Sequence, residues 1–528
     1  MTGPARTGPT AIQRSAVAVT LVTGAIYVAT LLPGVSFGDW GEMQSIPYQL
    51  GVAHPTGYPL AVLLGKLWSF LPIGSVAYRA NLLSAVEMSL ALGVVVLVMG
   101  RLGVRPLVAV SLAIVLAAVP TVWAAATTAR VDALHVLLVT LLLHRALCWA
   151  QDRRPRDLVL AALLAGLALA NHLLTLMVAP FVALYVVWVG RHELIRRPVL
   201  VPVAALAGVA GLALYIFIPI RASFGPSWVY GQLLTTDGFW YLVSGAMFRG
   251  HMQFLSPAGL ANFAARAGPL LGLTAARWHP LLLAAAALGW GVTLRRNPAF
   301  AVLEAVLVTV GVYFYVNYYG DLEHYLLLPW LIIAVCCAVA FEALIAWGTR
   351  ALDGAGSEGE PASRASRARR LPVGAIAGAA LLAFAGLGVG LGWHANDLSH
   401  DDRGQAFVDE VFATLPRDAV LLTYWDAIEP LWYAHCVEGR RPDLLILASS
   451  NIATQGCQDF HGAIATLVAE RQTYALLPFD QDYAGLSGSF QLQPVKSLLV
   501  PYGHPYPDIR RDLVQVLPLG SRVGRAPG

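Results

Sequence analysis

Apolar runs near residues 15–32, 80–99, 106–123, 133–150, 158–170, 173–190, 199–220, 279–294, 299–319, 325–348 and 371–393 follow one another, separated by polar breaks. A helix of ~20 apolar residues crosses the roughly 30 Å hydrocarbon layer of a bilayer. The pattern therefore predicts about eleven transmembrane helices. The pair 158–170 and 173–190 reads either as one long helix or as two helices turning at Asn171-His172. The stretch 58–71, YPLAVLLGKLWSFL, is too short to span and carries Lys66; it is expected to lie in the membrane interface. The first run follows Arg6 and Arg14 without a clear small-residue cleavage site, and reads as an uncleaved signal anchor.

After Trp393 the pattern changes. GQAFVDEVFATLP has helical spacing, DAVLLTYW is strand-like, AIEPLWYAHCVEG is helical again and PDLLILAS is a second strand-like run. Helices alternating with strands predict a small α/β domain over 394–528. The fold class is thus an α-helical polytopic membrane protein, residues 1–393, with a C-terminal extracytoplasmic α/β domain. A flexible linker rich in Gly, Ser, Ala and Arg is expected at 349–370. The helix beyond it carries Gly386, Gly388, Gly390 and Gly392. No strand precedes this GxGxG run, so it is read as close helix packing and not as a nucleotide fingerprint.

Composition agrees with the pattern. Of 528 residues 57% are hydrophobic and 12% charged, about half the charge of a soluble domain. The net charge of +4 carries no nucleic-acid footprint; where the charges stand says more. Arg101 and Arg105, DRRPR at 152–156, RHELIRR at 191–197, RR at 295–296 and RASRARR at 364–370 occupy alternate breaks. Basic short loops face the cytoplasm, which places the N-terminus inside, the linker 349–370 inside and residues 394–528 outside, in a multi-pass protein of the cell (inner) membrane. Cys148, Cys336 and Cys337 fall in spans, while Cys436 and Cys457 fall outside, where a disulfide is chemically allowed. No CxxC or HExxH spacing marks a zinc site, and dependence on a divalent metal stays open.

The candidate chemistry collects in the other set of breaks: Asp39, Glu42 and His54 in the first external loop (33–79), then Arg130 and Asp132, Asn171 and His172, Arg221, and Asp321, Glu323 and His324. Outside the first loop, any single one reads more readily as a solvated loop end. The first loop, SFGDWGEMQSIPYQLGVAHPTGYPL at 36–60, is dense in Gly and Pro and needs a fixed irregular path. On a helix Asp39 and Glu42 share a face. One carboxylate could then take a proton from an alcohol while the other orients the acceptor or tunes its neighbour. Asp39 as a helix N-cap with Glu42 at the third helical position fits the same spacing.

Residues 38–86, GDWGEMQSIPYQLGVAHPTGYPLAVLLGKLWSFLPIGSVAYRANLLSAV, closely resemble a family of multi-spanning proteins whose animal members are protein O-mannosyltransferases. The family pattern is roughly D-S-G-E followed by L-G-V-A-H-P-P-G-Y-P-L. Trp40 and Thr56 depart from it without removing a charge. NHLLTLM at 171–177, PIRASFGPSW and SGAMFRG within 219–250, and the run 406–447 extend the resemblance in the same order. The family resembles the GT-C class of membrane glycosyltransferases, which take a sugar from a polyprenyl phosphate and place an acidic residue of the first external loop at the active site. The resemblance implies a polyprenyl-phosphate-linked sugar as donor, with mannose suggested by the animal members; an acceptor hydroxyl on protein, glycan or lipid; Asp39 as general base; and Glu42 beside it. A guanidinium fork suits phosphate, so Arg221 is the first candidate for the donor phosphate, with Arg130 and Lys66 next. His54 would touch substrate or hold the loop; His172, Asp321 and His324 complete the expected substrate contacts. Two other classes are carried: a lipid-linked-sugar transporter or flippase, and a membrane scaffold with an external binding domain. A transporter would set ionisable groups near the midplane of repeat-related broken helices, whereas here they gather at one set of helix ends.

Overall fold

A computed structural model describes residues 10–226, 229–230, 233–252, 256–318, 323–354, 373–448, 460–500 and 508–520. Asp321, Cys457 and most of the expected linker lie outside the described residues, and with them the proposed Cys436–Cys457 pairing.

The chain opens with α1 (Ala11–Ala29), started by a capping box in which the Thr10 and Gln13 side chains bond each other's backbone N–H. Two short helices follow, α2 (Gly38–Gln49) and α3 (Pro59–Trp68), the second over the stretch expected to lie in the interface. Then come α4 (Val76–Arg101), α5 (Pro106–Ala117), α6 (Pro120–Thr127), α7 (Val131–Asp152), α8 (Pro155–Leu169), α9 (Ala179–Arg196), α10 (Leu200–Leu212) and α11 (Phe217–Ser223). After these stand α12 (Thr236–Val243), α13 (Pro257–Arg277), α14 (Pro280–Arg296), α15 (Pro298–Asn317), α16 (Leu327–Gly354) and α17 (Val373–Asn396).

Among the described residues, eight helical stretches are long and apolar enough to cross a membrane, and ten if two bent pairs each count as one span. The pairs are α5 with α6, bent by 74°, and α13 with α14, bent by 96°. Pro120 and Pro280 cause both breaks: each sits at the first helical position, where its ring fits, and neither can continue the helix before it. The count of eleven read from the sequence is corrected at α8. Its 15 residues rise only about 22 Å. The chain does turn at Asn171-His172: the His172 ring accepts the Leu174 N–H at 3.1 Å and caps a 3-10 turn, Leu173–Met177, ahead of α9. Outer faces carry exposed Leu21, Leu206, Leu281 and Leu391, as lipid-facing surfaces do.

Close packing explains only part of the glycine run in α17. A Cβ at Gly388 or Gly392 would stand within 4 Å of Ala118, whereas Gly386 and Gly390 have no atom that near. Thr10, Arg101, Arg145, Arg154 and Arg156 line one cavity at the end where α1 begins; α2 and the C-terminal elements stand where α1 ends.

The C-terminal elements are α18 (Arg403–Thr414), β1 (Val420–Thr423), α19 (Trp425–Trp432) continued by a π-turn, β2 (Leu445–Ala448), α20 (Phe460–Glu470), β3 (Thr473–Ala475), α21 (Asp480–Ser487), β4 (Phe490–Val500) and β5 (Ile509–Pro518). They form a five-stranded sheet of order β2-β1-β3-β5-β4. β1 pairs in parallel with β2 and β3, and β5 runs antiparallel to β3 and β4. The four runs read from sequence are α18, β1, α19 and β2. One hydrophobic core joins this unit to the first loop: Phe37, Met43, Ile46 and Tyr58 pack with Phe407, Leu421, Ile428 and Leu431, all buried. Each such side chain contributes about 1.5–3 kcal/mol when fully buried, so the loop and the sheet unit hold each other in place.

Candidate active site

The path of the first loop is set by a buried amide network. Gln44 accepts the Ser36 N–H at 2.8 Å and donates to the Gly34 carbonyl and to Asn81 Oδ1, at 3.1 and 2.9 Å. Asn81 donates to the Leu32 carbonyl and accepts the Ala129 N–H. Both side chains are buried and satisfied, the condition for polar groups in a low-dielectric interior. Gly38 enters α2 at φ +55°, a conformation glycine adopts at little steric cost. A Cβ there would fall 2.8 Å from Asp426 Oδ1. One at Gly41 would fall 2.4 Å from the Ser36 carbonyl and 2.7 Å from Glu429 Cβ. The bare backbone of these two glycines lets the first turn of α2 press onto α19.

The N-cap of α2 is Phe37, with no side-chain cap bond, so the capping reading of Asp39 and Glu42 does not hold. Asp39 is the second helical residue and its side chain is 63% exposed, at the rim of a cavity of about 320 Å³. Its Oδ1 accepts the Trp425 indole N–H at 2.9 Å, and its Oδ2 lies 3.9 Å from His54 Nε2. Glu42 points the other way and is wholly buried. Its Oε1 accepts the His54 backbone N–H at 2.8 Å, and its Oε2 pairs closely with His54 Nδ1. On the far side of the ring the Tyr58 hydroxyl stands 2.9 Å from Nε2 and donates to the Pro55 carbonyl at 3.0 Å.

With the Tyr58 proton directed to Pro55, these contacts favour a charged His54. A tyrosine hydroxyl has one proton. With that proton given to Pro55, Nε2 must donate to Tyr58, while Nδ1 donates to the Glu42 carboxylate. Both ring nitrogens carry hydrogen, and the ring is an imidazolium. Burial opposes that charge, but Glu42 and then Asp39 outweigh it and push the His54 pKa up to about 9.

Of the residues read from sequence, Asp39, His54, Arg130, Asp132, His172 and His324 line this one cavity. Arg130 lies over the Trp40 ring at 4.3 Å and 3.9 Å from Asp132. Burial, with His135 adding to it, holds the His172 pKa down to about 3, so its ring is neutral. Glu42 backs the cavity through His54 without lining it. Lys66 and Arg221 are elsewhere. Lys66 donates to the Tyr48 carbonyl at 2.6 Å and sits over the Tyr48 and Phe70 rings. Arg221 donates to the Leu50 and Gln49 carbonyls at 2.5 and 3.2 Å, which ties down the C-terminal end of α2. Both guanidinium and ammonium groups thus serve the loop's backbone.

Sequence reasoning passed over three lining or flanking groups. Arg249 reaches the cavity and donates to Ser244 Oγ at 3.0 Å; it lies in the SGAMFRG stretch. Tyr58 lies within the loop motif itself. Trp425 comes from the C-terminal unit and has no local signal. Behind Asp39 stand two more carboxyls of α19. Burial and the Asp39 charge push Asp426 up to about 6. Burial and then Glu42 raise Glu429 well above the usual carboxylate range, so that it holds its proton. Among the described residues, no three His, Cys, Asp or Glu side chains converge as a metal cage.

Comparison with known proteins bears on both halves of this picture. Residues 39–195 match the family model of the protein O-mannosyl-transferase TMEM260 N-terminal domain. The mouse protein O-mannosyl-transferase TMEM260 is 30% identical over 247 residues, covering 45% of this chain and 34% of that protein. The Dictyostelium discoideum protein O-mannosyl-transferase tmem260 is 44% identical over 69 residues, 12% of this chain and 8% of that one. The chain thus spans about a third or less of the curated relatives it matches. The crystal structure of ArnT from Cupriavidus metallidurans bound to undecaprenyl phosphate superposes with a TM-score of 0.62, at 14% identity, over 95% of this chain and 97% of that one. In fold the chain is like ArnT, and over residues 39–195 it is similar in sequence to the N-terminal domain of protein O-mannosyl-transferase TMEM260.

Proposed function

We propose that the chain is a membrane glycosyltransferase that moves a sugar from a polyprenyl phosphate to an acceptor hydroxyl, on the membrane side that carries the first loop and the sheet unit. The observation that carries this reading is Asp39: an exposed carboxylate lining a cavity, beside a buried Glu42–His54 pair, with two arginines lining the same cavity. The names of the curated relatives and the undecaprenyl phosphate bound to ArnT support donor and reaction class. Mannose, and a protein hydroxyl as acceptor, follow from the relatives' names.

The lipid phosphate is already a good leaving group. What remains is to remove a proton from the acceptor hydroxyl and to stabilise charge growing on the phosphate. Asp39 Oδ2 takes the acceptor proton as the acceptor oxygen bonds the anomeric carbon. The bond from that carbon to the phosphate oxygen breaks, and its electron pair leaves with the lipid phosphate. Arg249 and Arg130 stand on the cavity wall to meet that charge. A single displacement of this kind inverts the anomeric centre. His54, held by Glu42, stands beside Asp39 with its Nε2 3.9 Å from Oδ2.

The test is to give the purified protein a polyprenyl-phosphate mannose with hydroxyl-bearing peptides, glycans and lipids, and to measure free lipid phosphate and glycosylated product together. Stoichiometric release of both supports the reading. Passage of intact donor across vesicles, with its sugar–phosphate bond unbroken, would replace it with a transporter.

A further inference from the structure

Asp39 is not held by its own loop alone. The bond to its Oδ1 comes from Trp425, 386 residues away. Trp425 is the first residue of α19, whose Ala427, Ile428 and Leu431 are buried in the core shared with the first loop. Edge-on contacts with the His54 ring at 5.7 Å and the Tyr230 ring at 6.0 Å, both at 82°, fix the plane of the indole. An indole nitrogen only donates, so the bond has one sense. It occupies Oδ1 and leaves Oδ2 as the oxygen that faces an incoming hydroxyl.

We infer that Trp425 is a positioning residue of the transfer reaction: its N–H locks the Asp39 rotamer, so the C-terminal unit completes the active site. The inference rests on the glycosyltransferase reading above. Trp425 touches the base and not the reacting atoms, so its loss acts on turnover and leaves donor binding intact. A purely packing role is the competing account, and the two differ in what a phenylalanine does.

Trp425→Phe keeps an aromatic ring against His54 and Tyr230 and removes only the donor. Turnover should fall about tenfold, with the KM for donor and the thermal midpoint unchanged. Trp425→His, whose neutral ring carries an N–H, should recover part of the loss. Adding Trp425→Phe to Asp39→Asn should cost nothing further, because Trp425 acts on turnover only through the Asp39 base. The contact itself is read without turnover. Among the indole resonances of the 14 tryptophans, the one lost in Trp425→Phe should move upfield in Asp39→Ala. Wild-type turnover in Trp425→Phe, or an indole resonance indifferent to Asp39→Ala, overturns the inference and leaves the enzyme reading standing. Absence of sugar transfer by the wild-type protein from any donor overturns both.

Discussion

Replacing Glu42 by Gln tests the buried pair behind the site, and its size can be worked from the structure. The amide keeps an oxygen for the His54 backbone N–H, now bonded at 2.8 Å. Its nitrogen would face the His54 Nδ1–H donor to donor, so the ring must lose that proton and become neutral. The wild-type His54 pKa is raised from 6.5 to about 9. A raised pKa means that the folded state binds the proton more tightly than the unfolded chain. The stabilisation is therefore complete below about pH 6.5 and is lost as pH rises toward about 9. At about 1.4 kcal/mol per pH unit the rise corresponds to about 3 kcal/mol, with little solvent screening because Glu42 is fully buried and the His54 side chain is 11% exposed. In a thermal scan of a chain this size that is roughly 3 °C. Tm measured from pH 6 to 9.5 in one detergent should fall with pH for the wild type and stay flat for Glu42→Gln, with the curves converging at the alkaline end. A Glu42→Gln protein that keeps both the wild-type Tm at pH 6 and the wild-type slope would refute the imidazolium assignment and the argument built on it.

Two further outcomes follow from the same geometry. The Asp426 pKa is raised to about 6 by burial and then by Asp39, so its folded form favours the neutral acid and stability falls as pH rises from about 4 through 6. Asp426→Asn should remove that fall and raise Tm at pH 7.5, and a lowered Tm there would count against it. Arg249→Ala should lower kcat/KM for the lipid-phosphate donor by about 10- to 100-fold, the scale of a hydrogen bond to a charged group. Arg221→Ala should instead lower Tm with little change in donor KM; the reverse pattern in steady-state kinetics would exchange their roles.

How much of this was legible in the sequence depends on the range of the interaction that fixes each feature. Helix positions rest on local hydropathy, and nearly every expected span has its counterpart. The count slipped at 158–170, because 15 residues of α8 read as apolar as a span while rising too little to be one. In the C-terminal unit α18, β1, α19 and β2 announced themselves by periodicity. The β4 strand has one largely exposed face and Pro494 inside it, which hides a two-residue period. The first loop was legible as a site from its carboxylates, His54 and glycines. The division of labour between Asp39 and Glu42 was not, since it depends on which way each points from a helix whose N-cap is Phe37. Arg221 and Lys66 were chosen for charge and position, yet the backbone carbonyls they satisfy leave no trace in sequence. Trp425 was beyond reach for the opposite reason: its partner is distant in the chain, and only the tertiary fold brings the two together.

The claim on which the rest depends is that Asp39 takes the acceptor proton. It is tested most directly by measuring sugar transfer and thermal stability side by side for Asp39→Asn. The amide keeps the size of the side chain and an oxygen for the Trp425 N–H, but is no longer a comparable base. Transfer should fall by about 10²–10⁴-fold while Tm stays near that of the wild type. A stable Asp39→Asn protein that transfers sugar at the wild-type rate would contradict the account.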